Sequence, residues 1–350
     1  MGLKRLSDFS LHDLESVQLI LEGSSVVDWH RLHFKSHDEA RLFLDNHGFD
    51  QKNAEDASYL ESVKEQAIRY LRRTFEFNTP EDVAQLPLLE LMMVAAGAAG
   101  HRQKSSCTVL KVMQVIHHMA GRELLFRLPV SDRDLFHLVE EKVYRVVGAM
   151  LGEGFPITEF VGGRKNLDST YTKLLSKPES TASAIYDKLR FRIVTEQRKD
   201  LLPVLLYLSE RVFPFNYVVP SQSTNTILDF NDVCESDEHL RALSKELQRS
   251  RSVDNSANDN RYSAREFRTI QIVTDVPVRV PAHLLELAPE GSESLGKVVY
   301  MLCELQLQDA ATEASNETGS ANHEAYKRRQ REAVLNRLYM DTRTSEDFGS

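Results

Sequence analysis

Four cations lie close together in the middle of this 350-residue chain. Residues 161–173 read VGGRKNLDSTYTK, and the cations of this segment and its continuation are Arg164, Lys165, Lys173 and Lys177. Lys173 and Lys177 are four residues apart, so a helix would place them on one face. Cations grouped in this way could hold one polyphosphate. A solvated, mobile loop is the alternative interpretation, because charged residues usually lie at the surface.

Two carboxylates could hold a metal ion next to such phosphates. Glu304 lies in the middle of a predicted strand, with Leu302 and Gln306 flanking it on the same face. A carboxylate in this position suits Mg²⁺ or a proton, but a sheet with one wet face would explain it equally well. Asp187 lies near the start of another strand and is either a metal ligand or a turn residue, since an unpaired carboxylate on a core face would be costly. Together these cations and acids are the groups that phosphoryl transfer uses.

Composition limits the class of protein. The chain has 43 Lys and Arg against 52 Asp and Glu, a formal charge of −9, which argues against binding duplex nucleic acid with the whole surface. Its three cysteines, Cys107, Cys234 and Cys303, show no metal-binding spacing and are typical of free thiols in a reducing compartment. The N-terminus lacks an apolar signal core, and no apolar run reaches the length of a membrane span. We therefore expect a soluble, cytoplasmic protein with no membrane partner.

The elements of the first part of the chain are predicted to be helical. Ser10, Ser36 and Ser131 occupy N-cap positions before periodic apolar segments. In the helix after Ser131 one face is apolar, and its residues are Leu135, Leu138, Val139, Val143, Val146, Val147 and Met150. We assign residues 1–130 to a helical domain that regulates the rest of the chain, or that binds a protein partner or a second copy of the chain.

The second part of the chain is predicted to mix strands with helices. Strands are expected at 184–195, 267–273 and 298–308, because apolar residues alternate there. On the last strand the residues predicted to face a core are Val299, Met301, Cys303, Leu305 and Leu307, and those predicted to face away are Tyr300, Leu302, Glu304, Gln306 and Gln308. Residues 131–345 are therefore predicted to form an α+β domain.

Shorter features complete this second domain. Ser169 is predicted to cap a short helix that carries Lys173 and Lys177. Residues 221–265 are rich in Ser, Asn and Asp and form a predicted polar insertion, whose loop at 250–262 could close over a substrate. The tail from about 322 to 340 is predicted to be a basic helix.

Two His-Asp pairs invite a different interpretation, a metal-dependent phosphohydrolase. His12-Asp13 and His37-Asp38 both fall in the first turn after a capping serine, where the helix dipole favours Asp. Capping explains both pairs without a metal site. The pair His117-His118 also lacks partners at metal-ligand spacing, so a hydrolase in the N-terminal part is not favoured.

The order of motifs from about residue 135 to 330 resembles the synthetase domain of the RelA/SpoT family, which makes the alarmone (p)ppGpp. Residues 161–173 are similar to that family's Gly-Arg-x-Lys…Ser-Ile-x-x-Lys element, and 185–194 to its Asp-Leu-x-Gly-Ile-Arg-Ile-Val strand. Residues 266–271, EFRTIQ, lie where Gly-Tyr-x-Ser-Ile-His is usual. Residues 304–309, ELQLQD, resemble Glu-Ile-Gln-Ile-Arg-Thr, and 323–327, HEAYK, follow at a suitable distance.

This resemblance implies a nucleotidyltransferase-like α+β fold and transfer of pyrophosphate from ATP to a ribose hydroxyl. It implies that Asp187 and Glu304 bind Mg²⁺ and that Glu304 also takes the proton of the attacking hydroxyl. The residues implied in binding ATP and its phosphates are Arg164, Lys165, Ser169, Lys173, Lys177, Arg192, His323, Tyr326 and Lys327. Phe267 and Gln271 would contact the acceptor.

The acceptor side departs from the family pattern. Phe267 replaces the usual tyrosine and keeps only its π-face, and Gln271 replaces the usual histidine. Arg190 replaces a glycine, and Gln308-Asp309 replaces Arg-Thr. The acceptor therefore need not be GDP or GTP itself. We expect a GDP- or GTP-like nucleotide or the 3′ end of an RNA such as tRNA, for which the basic helix from Lys327 to Arg337 would be suitable.

Two other functions compete with this enzyme. The fold could bind ATP or an alarmone as a non-catalytic sensor, or it could be a helical scaffold with a purely structural sheet. A degenerate binding module has little need of two metal-binding acids, so the presence of Asp187 and Glu304 favours the enzyme.

Overall fold

The structure, a computed structural model, describes residues 3–22, 33–176, 188–219, 222–250 and 268–318, together with the helical positions 327, 328, 330–332, 334–336 and 338. The helices of the first part are α1 (Leu11–Glu22), α2 (His37–Asn46), α3 (Ala54–Phe75), α4 (Glu81–Ala84), α5 (Leu88–Ala96), α6 (His101–Arg127) and α7 (Asp132–Gly152). Those of the second part are α8 (Leu167–Ser176), α9 (Leu201–Arg211), α10 (Phe230–Ser236), α11 (Glu238–Ser250), α12 (Ala282–Leu285) and α13 (Ala310–Thr318).

The predicted N-caps explain where three of these helices begin. Ser10 Oγ accepts from the amide of Asp13 at 3.2 Å, and Ser36 Oγ accepts from the amide of Glu39 at 3.3 Å. Ser131 forms a complete capping box with Asp134 at the start of α7. These three predictions are confirmed.

The strands form a mixed five-stranded sheet in the described residues. They are β1 (Ile157–Arg164), β2 (Leu189–Thr195), β3 (Thr224–Asn225), β4 (Ile270–Arg279) and β5 (Val298–Asp309). Their order is β1-β2-β5-β4-β3, in which β2 and β5 are parallel and every other pair is antiparallel. The predicted α+β class, with a mixed sheet flanked by helices, is confirmed.

β4 extends further than the sequence predicted, to Arg279 instead of residue 273. It contains Pro277, which has no amide hydrogen to donate to a neighbouring strand. Pro277 pairs with Tyr300 of β5, and β3 reaches only as far as Gln271 along the other edge of β4. In the described part of the chain no strand flanks that edge at Pro277, so the missing donor breaks no ladder there.

Helices cover both faces of β5, which corrects one prediction. The odd-numbered residues face a core, as predicted: Cys303, Leu305 and Leu307 are fully buried with residues of α1, α7 and α9. The opposite face was predicted to point away from the core, yet Tyr300 is also fully buried there. It packs with residues of α3, α5 and α6 in a second apolar cluster. The prediction failed because it allowed the sheet only one covered face.

A glycine allows α6 to approach this second face closely. A Cβ atom added to Gly121 would lie 2.7 Å from the ring of Tyr300 and 2.7 Å from the carbonyl oxygen of Val298. Contacts this short would force the helix and the strand apart. Gly121 therefore fixes how the N-terminal helices sit on the sheet.

The division at residue 130 stays a prediction. The core around the sheet includes Leu14, Val17 and Ile20 of α1 together with Leu305 of β5. None of the helices in the described part of the chain combines the length and the apolarity that crossing a membrane requires.

Candidate active site

One half of the Tyr300 face of the sheet is lined with polar side chains. Directly paired residues of adjacent strands share a face, and β2 pairs Arg190 with Glu304 and Arg192 with Gln306. On the other side of β5, Gln271 of β4 also pairs with Gln306. We call this region the polar end; its residues are Arg190, Arg192, Gln271, Glu304, Gln306 and Gln308.

Glu304 lies at the centre of the polar end. Its strand, β5, is the middle one of the five, and the residue is only 5% exposed. Gln306 Nε2 donates a hydrogen bond of 2.6 Å to Glu304 Oε1. The alternative interpretation of Glu304 as a solvent-facing residue of a wet sheet is therefore wrong. A carboxylate held inside the protein, beside an arginine position and an amide donor, is suited to bind a cation or to accept a proton.

Gln308 adds a donor that sequence reasoning did not include among the site residues. It is 1% exposed, and its Nε2 atom has no hydrogen-bond partner among the described residues. A buried amide hydrogen without an acceptor is unfavourable unless a ligand supplies one. The alternation of β5 was the signal, because Gln308 shares the face of Glu304 and Gln306.

Arg164 ends β1 and is held by a carboxylate. Its Nε and Nη2 atoms donate to Glu140 Oε1 and Oε2 of α7 at 2.8 and 2.7 Å, a bidentate pair. Glu140 raises the pKa of Arg164 above its usual value. Arg164 is thus positioned by α7, and its charge is balanced by Glu140.

The positive charge of Arg192 is likewise balanced by neighbouring carboxylates. Its Nη2 atom lies 2.7 Å from Glu159 Oε1 of β1 and 3.3 Å from Glu313 Oε1 of α13. Neither acid was among the predicted site residues. The pairing with Glu159 follows from the antiparallel register of β1 and β2, in which Val161 pairs with Arg192 and Glu159 is the diagonal neighbour. Residues 157–164 were not predicted to form a strand, so the sequence did not indicate this pair.

The two glycines of β1 have different surroundings. A Cβ atom at Gly162 would lie 2.7 Å from the ring of Phe191, whereas one at Gly163 would meet nothing within 4 Å. Gly163 pairs with Arg190, which in turn pairs with Glu304. Gly162 thus allows close packing on the core face, and Gly163 leaves space beside the polar end.

The segment after β1 positions other predicted phosphate ligands. The amide of Lys165 donates to the carbonyl of Lys188 at 2.9 Å and extends the pairing of β1 with β2. α8 begins two residues later, and Asn166 Oδ1 accepts from the amide of Asp168 at 2.9 Å. The cap is therefore Asn166, and the prediction that Ser169 caps this helix is wrong: Ser169 lies in the first turn, as the third residue of α8.

The remaining predicted site residues are placed only in part. Gln271 lies on β4 beside Gln306 and pairs on its other side with Thr224 of β3. Lys327 is exposed on a helical segment. Five residues lie outside the described part of the chain: Lys177, Asp187, Phe267, His323 and Tyr326. Lys173 belongs to α8, but its side chain is also outside the description, as are residues 251–262 of the predicted loop. Ser250, where the loop was predicted to begin, is the last residue of α11.

The other half of the same sheet face, which we call the covered end, consists of Asp275, Val298 and Tyr300. His118 Nε2 lies 2.9 Å from Asp275 Oδ2, and Arg122 Nη1 lies 3.7 Å from Asp275 Oδ1. Both partners of Asp275 come from α6, which lies over this half of the face. Their pairing with Asp275 ties α6 to β4.

The aspartates of the two His-Asp pairs lie in the first turns of α1 and α2, as predicted. Asp13 accepts hydrogen bonds from the amide and hydroxyl of Ser10 at 2.8 and 2.9 Å. Asp38 pairs with Arg41 at 2.7 Å. Neither aspartate belongs to a group of potential metal ligands in the described part of the chain, so the geometry gives no support to a phosphohydrolase.

Comparison with known proteins gives matches only among solved structures. No protein-family model matches the chain, and no curated protein matches it. Three structures that resemble it belong to one class, the alarmone synthetases and GTP pyrophosphokinases.

The particular proteins are distant. Small alarmone synthetase 1 from Bacillus subtilis, bound to its product pppGpp, is 16% identical with a TM-score of 0.33, over 61% of this chain and 91% of that chain. Small alarmone synthetase 2 from the same organism is 15% identical with a TM-score of 0.32, over 63% and 94%. A GTP pyrophosphokinase family protein from Streptococcus pneumoniae is 12% identical with a TM-score of 0.28, over 67% and 87%. Similarity at this level gives no evidence about activity.

Proposed function

We propose that this protein transfers a pyrophosphoryl group from ATP, with Mg²⁺, to a ribose hydroxyl of a nucleotide or of an RNA 3′ end. The observation that carries the proposal is Glu304, a buried carboxylate on the central strand. It is in register with Arg190 and accepts a hydrogen bond from Gln306. The order of sequence motifs supports the same reaction.

The chemistry assigns a task to each charged group. The acceptor hydroxyl oxygen attacks the β-phosphorus of ATP and forms a new bond to it. The bond from this phosphorus to the oxygen that bridges it to the α-phosphate breaks, and AMP leaves with that oxygen and the electron pair. Glu304 accepts the hydroxyl proton. Arg190 and Arg192, on the strand beside it, stabilise the negative charge of the transferring phosphates.

The polar end also fits a hard cation. Mg²⁺ is commonly bound by one or two carboxylates together with waters and substrate phosphates. Glu304 would supply one carboxylate and Asp187 the second. When bound, the ion would neutralise charge on the β- and γ-phosphates. The unpartnered Nε2 of Gln308 is a hydrogen-bond donor and so is suited to a phosphate oxygen instead of the cation.

Transfer of label tests the proposal directly. The full-length protein is incubated with Mg²⁺ and ATP labelled on the γ-phosphate, in parallel with GDP, GTP, other nucleotides and bulk tRNA. We expect label on one acceptor class and release of AMP. Glu304→Gln should be silent, whereas Glu196→Gln, an exposed residue directly after β2, should act like wild type. Equal transfer by Glu304→Gln, or no ATP binding by the wild type, would contradict the proposal.

A second candidate, a non-catalytic nucleotide sensor, is favoured by one observation. Arg164 and Arg192 are already balanced by Glu140, Glu159 and Glu313, so less of their charge is left to stabilise the transferring phosphates in the transition state. A sensor would bind ATP or an alarmone in equilibrium dialysis yet transfer no label to any acceptor. Transfer to any acceptor would exclude this candidate.

A further inference from the structure

Three potential metal ligands converge away from the polar end, where α1 meets the chain leading into α2. They are His12, Glu15 and His33, and one ligand atom of each lies within 4.8 Å of the other two. His33 Nε2 is 3.2 Å from Glu15 Oε2. The imidazole rings of His12 and His33 have centroids 4.5 Å apart.

The helix geometry explains why two of these ligands point the same way. His12 and Glu15 are three residues apart on α1, so they lie on one side of the helix. Leu14 and Val17 of the same helix are fully buried in the core around the sheet. α1 is thereby fixed in rotation, and it presents His12 and Glu15 towards His33 as a rigid pair.

The ion pair between His33 and Glu15 leaves one buried atom of this group without a partner in the described part of the chain. His12 Nδ1 is shielded from solvent and has no hydrogen-bond partner among the described residues. The neighbouring Asp13 does not supply one, because it is bound by Lys4 and Ser10. A His33–Glu15 ion pair would leave the buried nitrogen of His12 unsatisfied at a cost in stability.

We propose that His12, Glu15 and His33 bind a Zn²⁺ ion. Two imidazole nitrogens and one carboxylate oxygen form a donor set that suits Zn²⁺, with water as the fourth ligand. Metal–ligand distances of about 2.0–2.2 Å place tetrahedral ligand atoms roughly 3.3 Å apart, so small side-chain rotations bring the three atoms into range. The ion would fasten α1 to the start of α2. It is separate from the Mg²⁺ that the proposed transfer uses.

Metal titration of the whole protein tests this site. The full-length chain is stripped with a chelator and titrated with Zn²⁺ against a chromophoric competitor, and with Co²⁺ by visible absorption. We expect about one equivalent of Zn²⁺ and the absorption of a tetrahedral Co²⁺ complex. His33→Gln should lower the Zn²⁺ affinity at least about 100-fold. The matched control is His37→Gln, an exposed histidine paired with Glu90, which should bind like wild type.

Further readouts keep the test decisive. If His33→Gln alters the circular dichroism spectrum, Glu15→Gln replaces it, because that change keeps the shape of the side chain. Zn²⁺ should raise the melting temperature of wild type and His37→Gln but not of the ligand variants. Equal Zn²⁺ affinity in wild type and in both ligand variants would overturn the proposal, as would no binding by wild type at micromolar Zn²⁺. All these readouts are taken without ATP, so they do not depend on pyrophosphate transfer.

Discussion

The polar end and the covered end lie on the same face of the sheet, yet their polar groups are paired differently. At the covered end, Asp275 is paired with His118 and Arg122 of α6, and Tyr300 fills an apolar cluster. At the polar end, Glu304 accepts a hydrogen bond from Gln306, and the Nε2 atom of Gln308 has no hydrogen-bond partner among the described residues. At the covered end the carboxylate is held by residues of α6, and its Oδ1 atom makes no hydrogen bond among the described residues. At the polar end the buried atom without a partner is a donor, Gln308 Nε2, and a donor suits an anionic ligand.

The largest expected effect separates activity from stability at the polar end. Glu304→Gln keeps the shape of the side chain and removes the charge that we propose accepts the proton. We expect pyrophosphate transfer to fall about 1000-fold, whereas the denaturant midpoint should stay near that of wild type. Label transfer and urea unfolding on the same preparation measure the two quantities. A loss of stability as large as the loss of activity would show that Glu304 serves the fold.

Replacement of Gly121, which packs against the covered end from α6, should give the largest change in stability. Gly121→Ala forces a methyl group against Tyr300 and the Val298 carbonyl. We expect a loss of about 3 kcal/mol in the free energy of unfolding, although alanine is the better helix former. Gly148→Ala in α7 is the control, since its Cβ would meet nothing within 4 Å. It should gain about 0.5–1 kcal/mol, and a gain from both variants would refute the close contact.

Asp275 should contribute to stability and not to turnover. Asp275→Ala leaves His118 and Arg122 of α6 without their carboxylate and should cost about 2 kcal/mol. Asp132→Ala breaks an exposed pair with Lys188 and should change stability little. Turnover per folded molecule should be unchanged in both variants. A loss of turnover in Asp275→Ala alone would show that the covered end also contributes to function.

Lys142 of α7 makes the stability of the fold sensitive to pH. Its ammonium donates to the carbonyls of Asn46 and Pro277, both at 2.9 Å, and desolvation lowers the pKa of Lys142 from 10.5 to about 7. Between these values the unfolded chain binds more protons than the folded one, so stability rises with pH. Relative to Lys142→Met, wild type should gain about 2 kcal/mol from pH 7 to pH 9. If the free energy of unfolding, measured with urea, changed with pH equally in wild type and Lys142→Met, this prediction would be contradicted.

The smallest expected effect concerns the balance of charge around Arg164. Glu140→Gln removes the carboxylate that holds this arginine and should tighten ATP binding about threefold, because exposed pairs contribute little. The control, Glu141→Gln, changes an exposed neighbour on α7 and should leave the dissociation constant unchanged. Weaker ATP binding in Glu140→Gln would mean that Glu140 positions Arg164 for the nucleotide.

Local signals made part of this molecule predictable. Ser131 and Asp134 are three residues apart and cap α7 through contacts that the sequence spacing alone specifies. The alternation of Leu189, Phe191 and Ile193 predicts a strand with one apolar face, and all three are fully buried. The same alternation on β5 predicts that Glu304 shares a face with Gln306.

Features that depend on contacts between distant residues were not predictable. Tyr300 is buried because Gly121, far away in sequence, lets α6 lie against it. Arg164 is balanced by Glu140 and Arg192 by Glu313, and no spacing in the sequence indicates either pair. The two glycines of β1 made that segment look like a loop, because glycine is depleted from strands. The sequence therefore predicts Glu304 as a candidate site residue but not what surrounds it.

β5 carries Tyr300 and Glu304 on one strand whose pairing with β4 is unbroken from Val298 to Leu307. Successive side chains of a strand point to opposite faces, so these two residues share a face only because an even number of steps separates them. Adding or deleting one residue between them would turn one of the two into the apolar core beside Leu305. Substitutions in this stretch therefore keep both residues on one face. Insertion or deletion of one codon would remove either the packing of α6 on Tyr300 or the carboxylate of the candidate site from that face.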